Sequence, residues 1–174
     1  MRSLSSRALQ ALFASMVFAA PVLAQTIPPV AHTVSLDGPR IGMTFLSDGV
    51  LETLKTRHQI VNRTMSQFGW QFEKQFFNGG NGLTAVTEVI TLLGGLEQNV
   101  AIPSLSWMFG VRTRDGAEFG VGPNVTPAGT AIVIAAGHTF RSGVLNVPVN
   151  MAVVPSRAGL RVTFLTGFNL RGRP

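Results

Sequence analysis

The feature that most constrains this chain is a two-residue alternation of apolar and polar side chains, repeated in segments between turn signals. After residue 59, clusters of Gly, Asn, Asp, Pro and Ser recur about every 12 to 18 residues. Short turns between such segments place neighbouring strands antiparallel. The pattern predicts eight strands, near 40–46, 64–77, 83–95, 101–113, 117–124, 129–140, 144–154 and 159–171. We therefore expect an all-β, antiparallel, up-and-down meander.

Eight strands of this length can close, or nearly close, into a small barrel, which removes the two exposed edges. One segment, 47–58, departs from the alternation. It opens with Ser47 and Asp48, either of which can serve as an N-cap, and continues VLETLKTR with apolar residues at 50, 51 and 54. The sequence therefore predicts one short helix after the first strand.

The first 24 residues are typical of a cleavable secretory signal. Arg2 and Arg7 precede an apolar stretch over 9–20, and a small residue, Ala24, stands at the expected cleavage point. The stretch is shorter than the ~20 residues that a membrane-spanning helix needs. We expect export, with a signal at 1–24, a Pro-containing linker at 25–38 and one β-barrel domain at 39–174.

Splitting each predicted strand by parity separates an apolar face from a polar face. The apolar face includes Phe68, Trp70, Phe72, Leu105, Trp107, Phe109, Val147, Val149 and Phe164. The polar face includes Gln71, Glu73, Glu88, Arg112, Asn146, Asn150 and Arg161.

This alternation has two physical solutions. The apolar face can point out to lipid around a polar interior, as in an outer-membrane barrel. It can instead point inward around a core or a lipid-like ligand, as in a soluble periplasmic barrel. Charged residues are only 13% of the chain, well below the ~25–35% of a solubilising surface, which favours a lipid bilayer as partner. Against it, the chain has no Tyr, a residue that is common in the interfacial girdles of such barrels.

The polar face carries acidic and basic groups that can neutralise one another. Glu73 and Glu88 lie on adjacent predicted strands, and two carboxylates could serve catalysis. A narrow interior must balance its charges, so we favour a salt-bridge network of these two residues with Arg112 and Arg161. We expect no catalytic site here.

Other functional classes find little support. Cysteine is absent and the three histidines lack metal-ligand spacing, so we predict neither a metal site nor a cofactor. The basic residues are scattered, which argues against nucleic acid. A third hypothesis, a lipid-directed hydrolase, would need His138 to act as base for Ser104, Ser106 or Ser142. An ordinary structural histidine is favoured, and we predict no enzymatic activity.

From the signal, the strand count, the hairpin turns and the alternation, residues 40–171 resemble the small eight-stranded outer-membrane β-barrel proteins. The phrases GPRIGMTFL, QFGWQFEKQF and EFGVGPN are similar to those of small uncharacterised exported bacterial proteins. The resemblance implies the outer membrane first and the periplasm second, and it assigns no activity.

Overall fold

A computed structural model describes residues 36–79 and 81–170, in which one antiparallel sheet closes on itself. Its main strands are β1 (Gly38–Leu46), β2 (Thr64–Asn78), β3 (Thr84–Gly94), β4 (Ile102–Arg112), β5 (Ala117–Thr126), β6 (Gly129–Ser142), β7 (Leu145–Ser156) and β8 (Gly159–Gly167). Each strand pairs with the next along the chain, and β8 also pairs with β1. The predicted eight-stranded up-and-down barrel is confirmed.

The strand boundaries differ from the sequence-based expectation mainly at the two ends of the barrel. β1 begins at Gly38, inside the predicted linker, and Leu36 just before it is fully buried. β8 ends at Gly167, and a two-residue strand, β9 (Asn169–Leu170), continues its register on β7. The predicted signal at 1–24 and residues 25–35 of the linker lie outside the described residues.

The strands are staggered, so they run obliquely around the barrel axis. Following the pairings from β1 through all eight strands and back displaces the starting position by about ten residues. A shift of this size in a small closed barrel corresponds to a strand tilt of about 40°. The interior is therefore narrow enough for side chains to fill.

The up-and-down order gives the barrel two different ends. The terminal end carries residues 36–37, β9 and the connections β2–β3, β4–β5 and β6–β7. The helix end carries the long 47–63 connection, the 95–101 connection with its 3-10 turn (Leu96–Gln98), and the two-residue turns at 127–128 and 157–158. Both described ends of the chain thus lie at the terminal end.

The predicted helix is α1 (Asp48–His58), and it packs over part of the helix end. Ser47 is its N-cap residue, but the Ser47 hydroxyl accepts a hydrogen bond from the Leu160 backbone N–H at 2.9 Å, which ties α1 to β8. Val50 and Leu54 are the buried residues of α1. They join a cluster completed by Leu46, Ile60, Met65 and Ile102. This cluster anchors a helix that is too short to be stable alone.

Candidate functional site

The lumen of the barrel contains the predicted polar face. Alternate residues of each strand point inward, and the buried polar side chains include Arg40, Thr44, Gln67, Gln71, Glu73, Ser106, Arg112, Asn124, Thr139 and Asn146. Buried polar groups usually find hydrogen-bond partners, but within the described residues Gln67 Oε1, Gln71 Nε2 and both side-chain polar atoms of Asn146 have none.

Arg112 is the centre of a charged network at the terminal half of the lumen. Its Nη1 donates to Glu73 Oε1 at 2.7 Å, and its Nη2 bonds the second Glu73 oxygen. Its Nε donates to Glu118 Oε1 at 2.7 Å, and Thr139 Oγ1 donates to the same oxygen at 2.6 Å. Glu88 Oε1 lies 4.0 Å from Arg112 Nη2. One guanidinium therefore contacts carboxylates from three different strands.

Arg40 forms a second network that joins the two described ends of the chain. Its side chain is 1% exposed. Arg40 Nη2 donates to the Leu36 carbonyl at 2.7 Å, Nε donates to Gln71 Oε1 at 3.0 Å, and Nη1 donates to Asn169 Oδ1 at 3.4 Å. The Asn169 amide also bonds the Asp37 carbonyl. These contacts close the lumen at the terminal end.

Arg161 departs from the expected network. It lies near the start of β8, at the helix end, whereas Arg112 lies at the end of β4, at the terminal end. Arg161 Nη2 donates to Asn124 Oδ1 at 2.9 Å, and the Asn124 amide donates to Ser104 and Ser106. Within the described part of the chain, no carboxylate forms a salt bridge with Arg161.

On part of the lumen wall, an apolar layer lies between Arg161 and the Arg112 network. It consists of the buried side chains of Ile90, Met108, Val133 and Val154. This layer explains why β6 is apolar on both faces: Val133 fills the lumen, and Ile132 and Ile134 face out. The four side chains of this layer line a lumen cavity of about 70 Å³, which is also lined by Glu88 and Arg161.

The predicted lumen amides Asn146 and Asn150 both point inward from β7. Asn146 is 1% exposed, and Asn150 is partly buried beside Gly137 of β6. A Cβ at position 137 would lie 1.8 Å from Asn150 Oδ1, so only glycine leaves room for this amide. With Glu73, Glu88, Arg112, Arg161 and Gln71, all seven predicted polar residues face the lumen.

All nine predicted apolar residues lie on the outer wall and not around the lumen. Trp70 is 45% exposed and Trp107 is 53% exposed, and large apolar side chains are exposed on every one of the eight strands. Val147 is partly buried among its neighbours on the same face. The possibility that these side chains line an internal ligand pocket does not match their position.

Four polar side chains of this wall, those of Thr87, Thr91, Trp107 and Thr166, are bonded within the protein. The Trp107 indole N–H donates to the Thr87 hydroxyl at 2.9 Å, and that hydroxyl donates to the Met108 carbonyl at 3.3 Å. The hydroxyls of Thr91 and Thr166 donate to backbone carbonyls at 3.3 and 3.0 Å. Internal satisfaction of this kind is required where water cannot reach.

Sequence reasoning missed Arg40 and Glu118 as members of the lumen networks. The parity of β1 and β5 would have placed both residues on the inner face. His138 points outward from β6 and stacks beside Phe140, with ring centroids 4.8 Å apart, whereas Ser104 and Ser106 face the lumen. The structure thus does not bring His138 together with these two serines.

Among residues 36–79 and 81–170, no three His, Asp or Glu side chains are placed to hold a metal ion. No helix in the same ranges is long and apolar enough to cross a bilayer. In comparisons with known proteins, no family model, no curated protein and no solved structure matches this chain.

Proposed function

We propose that this chain is an integral β-barrel of the outer membrane with a structural or interaction role, and not a pore or an enzyme. The observation that carries the proposal is the outer wall. Its large apolar side chains form a belt around all eight strands, and its mid-wall threonines are bonded internally. A soluble monomer rarely exposes an apolar patch larger than about 300–600 Å², and this belt surrounds the whole barrel.

The dimensions of the wall suit a bilayer. The eight barrel strands are 9 to 15 residues long, and a membrane-spanning strand needs about 9–11 residues. The outward residues of β4 run from Pro103 to Val111, and at a tilt of about 40° they span roughly 20 Å of height. The apolar band of known membrane barrels is about 25 Å tall.

The distribution of charge supports the same proposal. Among outward positions of the described strands, Lys74 is the one Lys, Arg, Asp or Glu side chain, and it lies in the terminal half of β2. The other charged side chains of the described residues lie in the lumen or at the two ends of the barrel. A signal at 1–24, which remains a prediction, would deliver such a chain across the inner membrane.

A role as an open channel is not supported. The Arg112 and Arg40 networks occupy the terminal half of the lumen, the apolar layer narrows its middle, and α1 packs over part of the helix end. The cavity that remains in the lumen, about 70 Å³, is far too small for a water-filled passage. The long 47–63 connection makes the helix end the natural surface for contact with other molecules.

The two tryptophans, Trp70 and Trp107, provide the test because both lie on the outer wall. The chain would be refolded into phosphatidylcholine vesicles with bromine atoms on the acyl chains, which quench nearby indoles. We expect the fluorescence of both residues to be strongly quenched. The single variants Trp70→Phe and Trp107→Phe separate the contribution of each tryptophan. Recovery of a folded, unquenched protein outside the vesicles would instead favour the soluble periplasmic barrel and overturn the proposal.

A further inference from the structure

A large cavity lies at the helix end, between α1 and the two-residue turns at 127–128 and 157–158. Its volume is about 930 Å³, at the upper end of the ~300–1,000 Å³ of small-molecule sites. The floor is apolar, and it is formed by Val50, Leu54, Met65, Ile102 and Ala131. We refer to this space as the mouth pocket.

Three arginines line the mouth pocket, one from each of three elements. Arg57 belongs to the last turn of α1, Arg157 to the β7–β8 turn and Arg161 to β8. No Asp or Glu is among the lining residues. The pocket thus combines three positive charges with an apolar floor.

The acidic residues of the helix end are engaged elsewhere. Asp48 pairs with Arg63, and Glu52 lies 3.8 Å from Lys55. Within the described residues, no salt bridge involves any of the three arginines of the mouth pocket. No carboxylate of the described residues therefore neutralises these charges, and the Arg161 Nη2 hydrogen bond to Asn124 is to a neutral acceptor.

Glu97, the third carboxylate of this end, is also directed away from the pocket. It accepts a hydrogen bond from the Ser66 backbone N–H at 3.1 Å and another from the Ser66 hydroxyl. Slight burial opposes ionisation, but the Ser66 bonds prevail and hold the pKa of this carboxyl below its usual value. The carboxylate is thus charged and already bonded.

The other polar groups of the pocket offer few donors. The hydroxyls of Thr53, Thr126 and Ser156 already donate to backbone carbonyls at 2.9, 3.2 and 2.9 Å. Guanidinium groups, in contrast, present several N–H donors in a geometry that matches a carboxylate or a phosphate.

We propose that the mouth pocket binds an anionic amphiphile, with its carboxylate or phosphate head group at Arg57, Arg157 and Arg161 and its acyl chain along the apolar floor. The acyl chain lies in the mouth and not deep in the lumen, because the lumen cavity below, which shares Met65 and Ile102 with the mouth pocket, measures only about 70 Å³. This site is independent of the outer wall, so it does not rest on insertion of the barrel into a membrane.

The Met65 methyl group is the reporter of choice, because Met65 lies on the pocket floor while Met43 and Met151 lie on the outer wall. The full chain, labelled at its methionine methyl groups and folded in non-ionic detergent, would be titrated by NMR. The probes are oleate, oleoyl lysophosphatidate, oleyl alcohol and inorganic phosphate. We expect both anionic amphiphiles to shift the Met65 signal saturably, while Met43 and Met151 respond equally to oleyl alcohol and oleate.

The arginine dependence is tested with Arg57→Gln/Arg157→Gln, whose exposed positions leave the barrel intact, and with Arg114→Gln at the terminal end as matched control. The double variant should weaken binding at least about tenfold, and the control should bind as the parent does. If the double variant bound oleate as tightly as the parent does, or if oleyl alcohol bound the parent as tightly as oleate does, the arginines would not recognise the head group and the proposal would be refuted. If inorganic phosphate alone saturated the Met65 shift, the ligand would be a free anion and not an amphiphile, and the proposal would be refuted. The absence of a Met65 response to every probe would refute it as well.

Discussion

Glu73 and Arg112 form a two-pronged ion pair across β3, since Glu73 belongs to β2 and Arg112 to β4. The Arg112 Nη1 to Glu73 Oε1 distance is 2.7 Å, and side-chain exposure is 0% for Glu73 and 4% for Arg112. Glu88 of β3 lies beside this pair, directly opposite Glu73 in the strand register. The inner wall is thus joined by side chains over a span of three strands.

Removing Arg112 should destabilise the barrel more than any other single change in the lumen. Arg112→Met leaves buried carboxylates without their partner, at a cost of about 3–5 kcal/mol. The free energy of unfolding in urea, measured on the protein in lipid vesicles, checks this value. Arg114→Gln, an exposed arginine nearby in sequence, is the control and should change it by less than about 0.5 kcal/mol.

Glu88→Gln should cost less than Glu73→Gln. Glu88 makes the longest of the three carboxylate contacts with Arg112, at 4.0 Å, and its charge is repelled by two neighbouring carboxylates. The same urea experiment compares the two variants. If Glu88→Gln were the more damaging change, the network would depend on Glu88 in a way that its geometry does not indicate.

A charge placed on the middle of the outer wall distinguishes lipid from water. Val89→Arg lies at the centre of β3, and Ala85→Arg lies on the same face near its end. In a bilayer we expect a cost of about 2–4 kcal/mol for the first and about 0–1 kcal/mol for the second. In a soluble barrel both side chains would reach water, and the two variants would be equally stable.

Trp107 and Thr87 should be energetically coupled, because they share a hydrogen bond on the outer wall. Thr87→Val leaves the indole N–H without its acceptor in lipid, at a cost of about 1–3 kcal/mol. Trp107→Phe removes the donor, so the double variant should be more stable than the sum of the single changes implies. Strict additivity in a double-mutant cycle would argue that water reaches this site.

The anchoring of α1 can be tested separately from the barrel. Leu54→Ala should free the helix, because an 11-residue helix without its buried contacts is marginal. We expect faster hydrogen exchange over 48–58 with unchanged protection in the strands. Lys55→Ala, an exposed neighbour, should leave the exchange of both regions as it is.

The fold could be read from the sequence because turns and alternation are local properties. Parity also assigned Glu73, Arg112 and Trp107 to the correct faces. It could not decide which face is inside, since the same alternation satisfies a soluble and a membrane barrel. The partners of each side chain within the lumen were harder still to predict. Arg161 faces the lumen as the residues of the Arg112 network do, but it lies at the opposite end of the barrel. The height of a residue in the barrel depends on strand direction and stagger, which parity does not give.

Arg40 gives the order of assembly a chemical consequence. Its guanidinium is bonded to Leu36 at the beginning of the described chain and to Asn169, which lies 129 residues after Arg40. Until β8 pairs with β1 and Asn169 reaches Arg40, β1 has an unpaired edge and this cation lacks one of its acceptors. Closure of the seam and full coordination of this buried charge therefore depend on the same last residues of the described chain.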